Sequence, residues 1–257
     1  MKKVEAVIFD WAGTTVDYGC MAPVQAFVEV FKHFGIEPTM EEVRKPMGML
    51  KRDHIKTMLQ MERICNLWRE KYQVEPGEKE IDQLYGLFEE KLMSILDQYS
   101  EPKPYVVETV AKLREKGIRI GSTTGYTDPM MEIVTREAKT AGYEPDCWYS
   151  PDATGQKGRP NPYMIFRNME QLGVSSVDAM IKVGDTVSDI REGKNAGVCT
   201  IGVLEGSSEM GMTKEEYEAL SEEEKQVEKD RVAKIYVEAG ADGVIEDIRG
   251  ILDYLGE

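Results

Sequence analysis

The sequence predicts an α/β protein, a doubly wound parallel sheet with an inserted all-helical domain, and two observations predict it. From Pro102 onward, short apolar stretches alternate with helical patterns, which is typical of βαβ units and therefore of a parallel sheet. Residues 4–9 form one further apolar strand, but the pattern between 19 and 101 is helical throughout. We therefore predict a core of residues 1–18 and 102–257 and a helical cap domain of residues 19–101.

The first half of the chain contains one strand and then helices only. Residues 4–8 are apolar enough for a buried strand, and residues 21–35 are amphipathic, with a proline near the start and a glycine at the end. Residues 39–42 have the spacing of a capping box, which predicts a second helix. Further helical pattern covers residues 50–99.

The second half of the chain alternates strands and helices. The predicted strands are residues 118–122, 147–150, 179–184, 199–204 and 242–246. The predicted helices end at 116, span 128–142 and about 162–172, end near 196, and close the chain after the last strand. No element is predicted for the charged stretch 213–235.

Composition and charge restrict the partners of the protein. The formal net charge of −15 disfavours nucleic acids and anionic membranes, because both select basic surfaces, but it permits a local cationic pocket for a small anion. No apolar stretch of about 18 residues is present, and the N-terminal residues run directly into a strand, so neither a membrane span nor a signal peptide is expected. Four scattered cysteines predict free thiols in a reducing cytoplasm: Cys20, Cys65, Cys147 and Cys199.

Asp10 follows the first strand in the segment FDWAGTT and is a candidate nucleophile. A lone aspartate after a strand is more often a turn or N-cap residue. The glycine and two threonines that follow supply a tight turn with hydroxyl and N–H donors, which favours a phosphoryl-accepting site. Such sites usually carry a second acid two residues later, yet position 12 is Ala12.

Two further segments contain candidate ligands for an anion. The segment GSTTGYT ends a core strand and includes Thr124 and Gly125, which form either a simple turn or a cradle of hydroxyl and N–H groups. Arg159 precedes a predicted helix, where it is either solvated or a bidentate ligand of a phosphoryl group.

Asp185 and Asp189, in the segment GDTVSD, are candidate metal ligands. They lie one helical turn apart after a buried strand, and carboxylates from several strand ends suit Mg²⁺. The alternative, an acidic helix start, is more plausible for Asp189 alone than for both residues.

These segments together resemble the haloacid dehalogenase superfamily. The resemblance implies an aspartyl-phosphate mechanism with Mg²⁺, in which Asp10 is the nucleophile and Thr124, Gly125 and Arg159 bind the phosphoryl group. It also implies a metal site formed by Asp10, Asp185 and the backbone carbonyl of Ala12, with Asp189 behind these ligands. The sequence departs from the superfamily pattern at Arg159, where most members have lysine, and at Ala12, where the phosphatases have an acid.

The missing acid favours a carbon–phosphorus bond as the target. A phosphate ester leaves as a basic alkoxide, so loss of a general acid costs about 10²–10⁴-fold in rate. A C–P bond has no bridging oxygen to protonate, but its carbanion must be delocalised. A lysine that converts a carbonyl β to phosphorus into an iminium provides that delocalisation.

Lys51, at the predicted helix start in RKPMGMLKRDH, is the candidate for this lysine. A helical lysine is usually solvated, and a Schiff-base amine has to be neutral, so desolvation under a cap would be needed to lower its pKa. The segments VIFDWAGTTVDYGC, RKPMGMLK, GSTTGYT and KVGDTVSD resemble the phosphonatase branch of the superfamily, which implies this role and a small phosphonate substrate. His54, a possible proton relay, and Tyr126, Met47 and Cys20 are further candidates near the site, although packing explains Met47 and Cys20 equally well.

Three alternatives and one partner remain open at this point. One alternative is another Mg²⁺-dependent phosphatase or phosphotransferase of the superfamily. A dehalogenase also lacks the second acid but needs no metal, and a non-catalytic domain of the same fold would explain Ala12 by decay. We expect a homodimer through the cap, because one cap face is rich in apolar side chains, although that face also suits the cap's own core. Its residues are Phe27, Val30, Phe31, Phe34 and Trp68.

Overall fold

A computed structural model describes residues 3–255 and contains one six-stranded parallel sheet. Its strands are β1 Ala6–Phe9, β2 Arg119–Thr123, β3 Cys147–Tyr149, β4 Met180–Gly184, β5 Cys199–Val203 and β6 Gly243–Ile245. The spatial order is β3-β2-β1-β4-β5-β6, and every neighbouring pair is parallel. The predicted fold class is therefore confirmed.

The strand order reverses at β1, which lies between β2 and β4. Phe9 pairs in register with Ser122 on one side and with Val183 on the other. The residues that follow these three strands consequently meet at one edge of the sheet. In open α/β sheets, the crevice at such a reversal is the usual ligand site.

Five α-helices lie between residues 21 and 93, after β1: α1 Met21–His33, α2 Met40–Arg44, α3 Lys51–Gln60, α4 Glu62–Tyr72 and α5 Glu78–Met93. Within the described chain, residues 21–99 contain no strand, as the sequence predicts. The predicted capping box opens α2, because the Thr39 hydroxyl accepts from Glu42 N and the Glu42 carboxylate accepts from Thr39 N. Each device satisfies an otherwise unpaired N–H at the helix start.

The apolar face suggested for a dimer lies mainly inside these helices. Phe27, Val30 and Phe31 are fully buried, and the ring of Phe27 stacks on that of Phe88 in α5 with 4.2 Å between centroids. Trp68 is also buried, whereas Phe34 is only partly covered. Packing among the inserted helices, the alternative considered from the sequence, therefore accounts for four of the five residues, three on α1 and Trp68 on α4.

Six helices complete the core: α6 Val106–Glu115, α7 Asp128–Thr140, α8 Tyr163–Leu172, α9 Val187–Ala196, α10 Lys214–Glu218 and α11 Glu222–Ala239. The last two occupy the charged stretch for which no element is predicted. Capping boxes open both, and α11 buries Val232 and Tyr236. The segment after β6 is a 3₁₀ helix, Ile248–Tyr254, where an α-helix is predicted. Over the described residues, no helix is both long and apolar enough to cross a bilayer.

Candidate active site

A narrow cleft lies where the inserted helices meet the carboxyl edge of the sheet. Nine of the predicted site residues line it: Asp10, Ala12, Cys20, Met47, Lys51, Thr124, Gly125, Tyr126 and Arg159. Three residues that the sequence did not suggest also line it: Gly48, Thr186 and Ser208. Asp185 and Asp189 lie beneath the cleft and His54 lies behind it, since all three are fully buried and are absent from its lining.

Asp10 and Arg159 are in direct contact at the floor of the cleft. Arg159 Nη2 donates to Asp10 Oδ1 at 2.5 Å and to the Thr123 carbonyl at 2.9 Å. Burial acts to lower the pKa of Arg159, but the neighbouring carboxylates outweigh it and raise this pKa above its usual range. The guanidinium is therefore a permanent cation beside the candidate nucleophile.

The Thr124 and Gly125 segment forms a turn that lines the cleft. The Thr124 hydroxyl accepts a hydrogen bond from Tyr126 N at 3.0 Å, which is a turn contact. Both residues nevertheless line the cleft opposite the inserted helices, and an ideal Cβ on Gly125 would lie 3.5 Å from the Met49 carbonyl. The turn therefore faces the cavity.

Asp10, Asp185 and Asp189 offer carboxylate oxygens that all lie within 4.8 Å of one another. Asp185 accepts from the Thr14 hydroxyl at 3.0 Å and from Ser208 N at 2.7 Å. Burial, and then the charges of Asp10 and Asp189, raise the pKa of Asp185 well above its usual value. Such crowding of buried carboxylates is relieved by a divalent cation.

Gly13 is required for this crowding. Its φ of +89° is in the left-handed region, and a Cβ there would lie 2.1 Å from Asp185 Oδ2. A side chain at position 13 would thus displace the carboxylate. The donor set fits a hard metal ion, and Ala12 lines the same cleft.

Asp189 is neutralised by protein cations and differs in this from Asp185. Its Oδ1 lies 2.9 Å from Lys182 Nζ and 3.1 Å from Arg159 Nη2. Burial acts to raise the pKa of Asp189, but these two cations outweigh it and lower the pKa. A residue already paired in this way is better suited to support a metal site than to ligate the ion.

Lys51 is the first residue of α3 and is 93% covered, since only 7% of it is exposed. Burial is the main cause of a lowered pKa for its amine. Its Nζ lies 5.2 Å from the centroid of the Tyr126 ring, and no salt bridge to Lys51 is found among residues 3–255. A desolvated, unpaired lysine meets the condition that the sequence argument set for a nucleophilic amine.

His54 lies on the same helix, one turn after Lys51, and is completely buried. Its Nε2 donates to the Val43 carbonyl at 2.8 Å, and its ring stacks on Phe27 at 3.8 Å between centroids. Burial, and then the charge of Lys51, lower the pKa of His54 well below its usual value. The ring is therefore neutral, and its Nδ1 has no hydrogen-bond partner in the described part of the chain.

Lys182 and Glu192 are the charged residues of this region that the sequence argument missed. Lys182 lies in the middle of the apolar strand β4 and is fully buried, as is Glu192 in α9. A lysine at the centre of a buried strand was the available signal, because such a residue requires a buried anion. Its partners could not be read from the sequence.

Known proteins are similar to this chain over nearly its whole length. A model of haloacid dehalogenase-like hydrolases matches residues 4–197. A phosphonoacetaldehyde hydrolase of Lysinibacillus sphaericus (strain C3-41) is 52% identical over 249 residues, which cover 97% of this chain and 93% of that protein. The chain belongs to the phosphonoacetaldehyde hydrolase family of the haloacid dehalogenase-like hydrolases.

Two further similar proteins are a longer bifunctional relative and a protein of known crystal structure. A bifunctional phosphonoacetaldehyde hydrolase/aminoethylphosphonate transaminase of Clostridioides difficile (strain 630) is 51% identical over 254 residues, and this chain spans 40% of its length. A crystal structure of a phosphonoacetaldehyde hydrolase-like protein from Oleispira antarctica has a TM-score of 0.95 at 39% identity, over 98% of this chain and 91% of that one. The matches to this family run through the inserted helices as well as the sheet.

Proposed function

We propose that the protein hydrolyses the C–P bond of phosphonoacetaldehyde to acetaldehyde and orthophosphate. The observation that carries the proposal is a desolvated amine, Lys51, in the same cleft as Asp10, while Ala12 stands where a leaving-group acid would be. Two relatives that share 52% and 50% sequence identity with this chain are named phosphonoacetaldehyde hydrolase, which supports this choice of substrate. An ordinary phosphomonoesterase would have no use for the amine and would need the acid.

The two ends of the substrate are bound by different parts of the cleft. Arg159, Thr124 and Gly125 are proposed to hold the phosphonate oxygens, and Tyr126, Met47 and Cys20 to line the aldehyde end beside Lys51. Asp10, Asp185 and the Ala12 carbonyl would hold Mg²⁺, with Asp189 behind them. When bound, the ion supplies charge neutralisation between the carboxylates and the phosphonate.

The proposed reaction begins at the aldehyde. The neutral amine of Lys51 attacks the carbonyl carbon, and loss of water with uptake of one proton gives an iminium. A carboxylate oxygen of Asp10 attacks phosphorus in line and the C–P bond breaks. The electron pair of that bond forms a carbon–carbon double bond and neutralises the iminium, which gives an enamine. Protonation of the enamine at carbon and hydrolysis of the resulting iminium release acetaldehyde and restore Lys51. Water then attacks the aspartyl phosphate and releases orthophosphate.

Proton movements are assigned to His54 and Tyr126. The Nδ1 of His54 and the hydroxyl of Tyr126 are buried and have no hydrogen-bond partner within residues 3–255. Both lie next to Lys51. We propose that they relay protons to and from the lysine and, through it, to the water of the second step.

Borohydride trapping tests the amine directly. Reduction in the presence of phosphonoacetaldehyde should leave a stable adduct that peptide mapping locates on Lys51. Asp10→Asn should keep the adduct and lose turnover, whereas Lys51→Arg should lose both, with a rate loss on the order of 10³-fold or more. EDTA should stop turnover reversibly and leave trapping intact, and Mg²⁺ should restore it.

Two results would reject this function. Absence of an adduct with wild-type protein that still releases acetaldehyde would exclude the imine, and equal turnover of simple phosphomonoesters would favour an ordinary phosphatase. A dehalogenase is the second candidate, and retention of activity in EDTA would favour it. The crowding of Asp10 and Asp185 counts against that alternative, since a metal-free site would leave their repulsion unrelieved.

We also propose the division into a core of residues 1–18 and 102–257 and a cap of residues 19–101. Residues 1, 2, 256 and 257 lie outside the described part of the chain. We propose a homodimer through the cap and a cytoplasmic location. The four cysteines, all unpaired, support a reducing compartment.

A further inference from the structure

Beneath the cleft floor, four ionised side chains form a buried ion cluster, defined as Arg159, Lys182, Asp189 and Glu192. Their side chains are between 0% and 2% exposed. Charges at this depth persist only when they are paired and hydrogen-bonded. The arrangement of the pairs therefore determines where each group points.

Lys182 is held within the cluster. It donates a hydrogen bond to the Thr123 hydroxyl at 2.9 Å, and its Nζ forms ion pairs with Asp189 Oδ1 at 2.9 Å and with Glu192 Oε2 at 3.4 Å. Lys182 does not line the cleft, and it acts on the other members of the cluster.

Glu192 holds one edge of the Arg159 guanidinium. Its Oε2 accepts from Arg159 Nε at 3.0 Å and from the Thr123 hydroxyl at 2.9 Å. Nη2, which shares an edge of the guanidinium with Nε, donates to Asp10, to the Thr123 carbonyl and to the Thr123 hydroxyl. Because the guanidinium is a rigid plane, fixing Nε also fixes the direction of the other two nitrogens. A lysine at position 159 has a single nitrogen, so Glu192 could not orient its donors in this way.

We propose that Glu192 is a positioning residue for Arg159. Lys182 and Thr123 hold the Glu192 carboxylate, and Glu192 holds Nε, so that the Nη side of Arg159 is directed at Asp10 and at the phosphonate. The inference rests on the proposed function, because it assumes that Arg159 binds the phosphonate. Glu192 itself does not line the cleft and acts through Arg159.

A double-mutant cycle with Glu192→Leu and Arg159→Lys tests this role, with kcat and KM for phosphonoacetaldehyde measured in Mg²⁺. Loss of a hydrogen bond to a charged group predicts a fall in kcat/KM of roughly 10- to 100-fold for Glu192→Leu. Glu192→Gln should recover part of the loss, since its carbonyl can still accept from Nε. In the Arg159→Lys background, Glu192→Leu should cost less than about threefold. Borohydride trapping at Lys51 should be unchanged, because Glu192 does not act on the aldehyde end.

An equal factor for Glu192→Leu in both backgrounds, or no loss in wild type, would overturn the inference. If Glu192→Leu also loses trapping, that variant is misfolded. Glu192→Gln is then compared in the wild-type and Arg159→Lys backgrounds, and an equal loss of kcat/KM in both would again overturn the inference. Failure of the proposed function is recognised separately, as absence of acetaldehyde release by wild type. In that case the cycle is measured as the affinity for orthophosphate in Mg²⁺ by calorimetry, where the same non-additivity is expected.

Discussion

At the residue scale, Asp17 is a buried titratable group at the junction between the core and the inserted helices. Its carboxylate accepts from Met21 N at 2.8 Å and from Ala22 N at 3.0 Å, at the start of α1. Burial is the dominant effect and raises the pKa of Asp17 to about 7 from 3.8, although the two hydrogen bonds and nearby cations oppose it. Ionisation of the Asp17 carboxyl group therefore costs free energy in the folded protein.

The stability of the protein should depend on this group. Because the folded state keeps the proton between about 3.8 and about 7 while the unfolded state loses it, stability falls as pH rises through this window. The stabilisation that Asp17 contributes is complete below a pH of 3.8 and is lost above a pH of about 7. Asp17→Asn removes the titration, so its free energy of unfolding relative to wild type should rise by roughly 1–3 kcal/mol between pH 5 and pH 8.

Urea unfolding at several pH values measures this difference. Asp253→Asn, a change at an exposed aspartate, is the matched control and should follow wild type. Any constant offset from a lost hydrogen bond does not matter, since only the change with pH is compared. Parallel curves for Asp17→Asn and wild type would contradict the prediction.

At the element scale, the turn between α2 and α3 closes the cleft by contact with the start of α9. Gly48 in this turn has a φ of +81°, and a Cβ there would lie 2.5 Å from the Thr186 hydroxyl and 2.9 Å from Ser188 Cβ. Thr186 is the N-cap of α9 and accepts from Asp189 N. The turn that precedes Lys51 is thus seated directly on the helix that carries Asp189.

Gly48→Ala should separate the two halves of the cleft. The left-handed backbone costs roughly 1–2 kcal/mol with a side chain, and the contact with Thr186 adds to this. We expect kcat/KM to fall on the order of 10-fold, with a smaller yield of the Lys51 adduct in borohydride trapping.

The control for Gly48→Ala is Gly117→Ala. Gly117 has a similar φ of +77°, but nothing lies within 4 Å of its ideal Cβ. That variant should lose comparable stability in thermal unfolding and keep full activity. Equal loss of activity in the two variants would show that backbone strain, and not the contact with α9, is responsible.

At the scale of the whole molecule, the proposed dimer depends on the aromatic edge of the inserted helices. Phe34 and Trp68 lie 5.6 Å apart and Trp68 and Tyr72 lie 4.6 Å apart, measured between ring centroids. Tyr72 is 37% exposed, and its hydroxyl donates to the Phe34 carbonyl. Tyr72 and the partly covered Phe34, unlike Trp68 and the buried face of α1, are available to a second copy.

Light scattering should give a mass near twice the chain mass of 29.1 kDa. Tyr72→Glu places a charge in the contact and should shift the protein to monomer at micromolar concentration. Val227→Glu, at an exposed position on α11, is the control and should remain dimeric. A monomeric wild type at about 50 μM would contradict this prediction, since a stable dimer interface implies tighter association.

The sequence by itself determined the parallel sheet, the insertion after β1 and the edge at which the site lies. Apolar periodicity is a local property, and the carboxyl ends of adjacent parallel strands necessarily meet, so Asp10, Thr124 and Asp185 could be brought together without a structure. The helix α11 was missed for the corresponding reason. Only Val232 and Tyr236 of its residues are fully buried, so its pattern has little periodicity to detect.

Tertiary structure alone decided which charged and apolar side chains pair. Glu192 meets Arg159 across 33 positions of sequence, and Lys182 meets Thr123 across 59. Phe27 and Trp68 are covered by helices whose packing no local pattern specifies. These contacts join residues that are distant in the chain, and they are fixed by how elements pack in three dimensions, whereas sequence periodicity reports only which side of each element is buried.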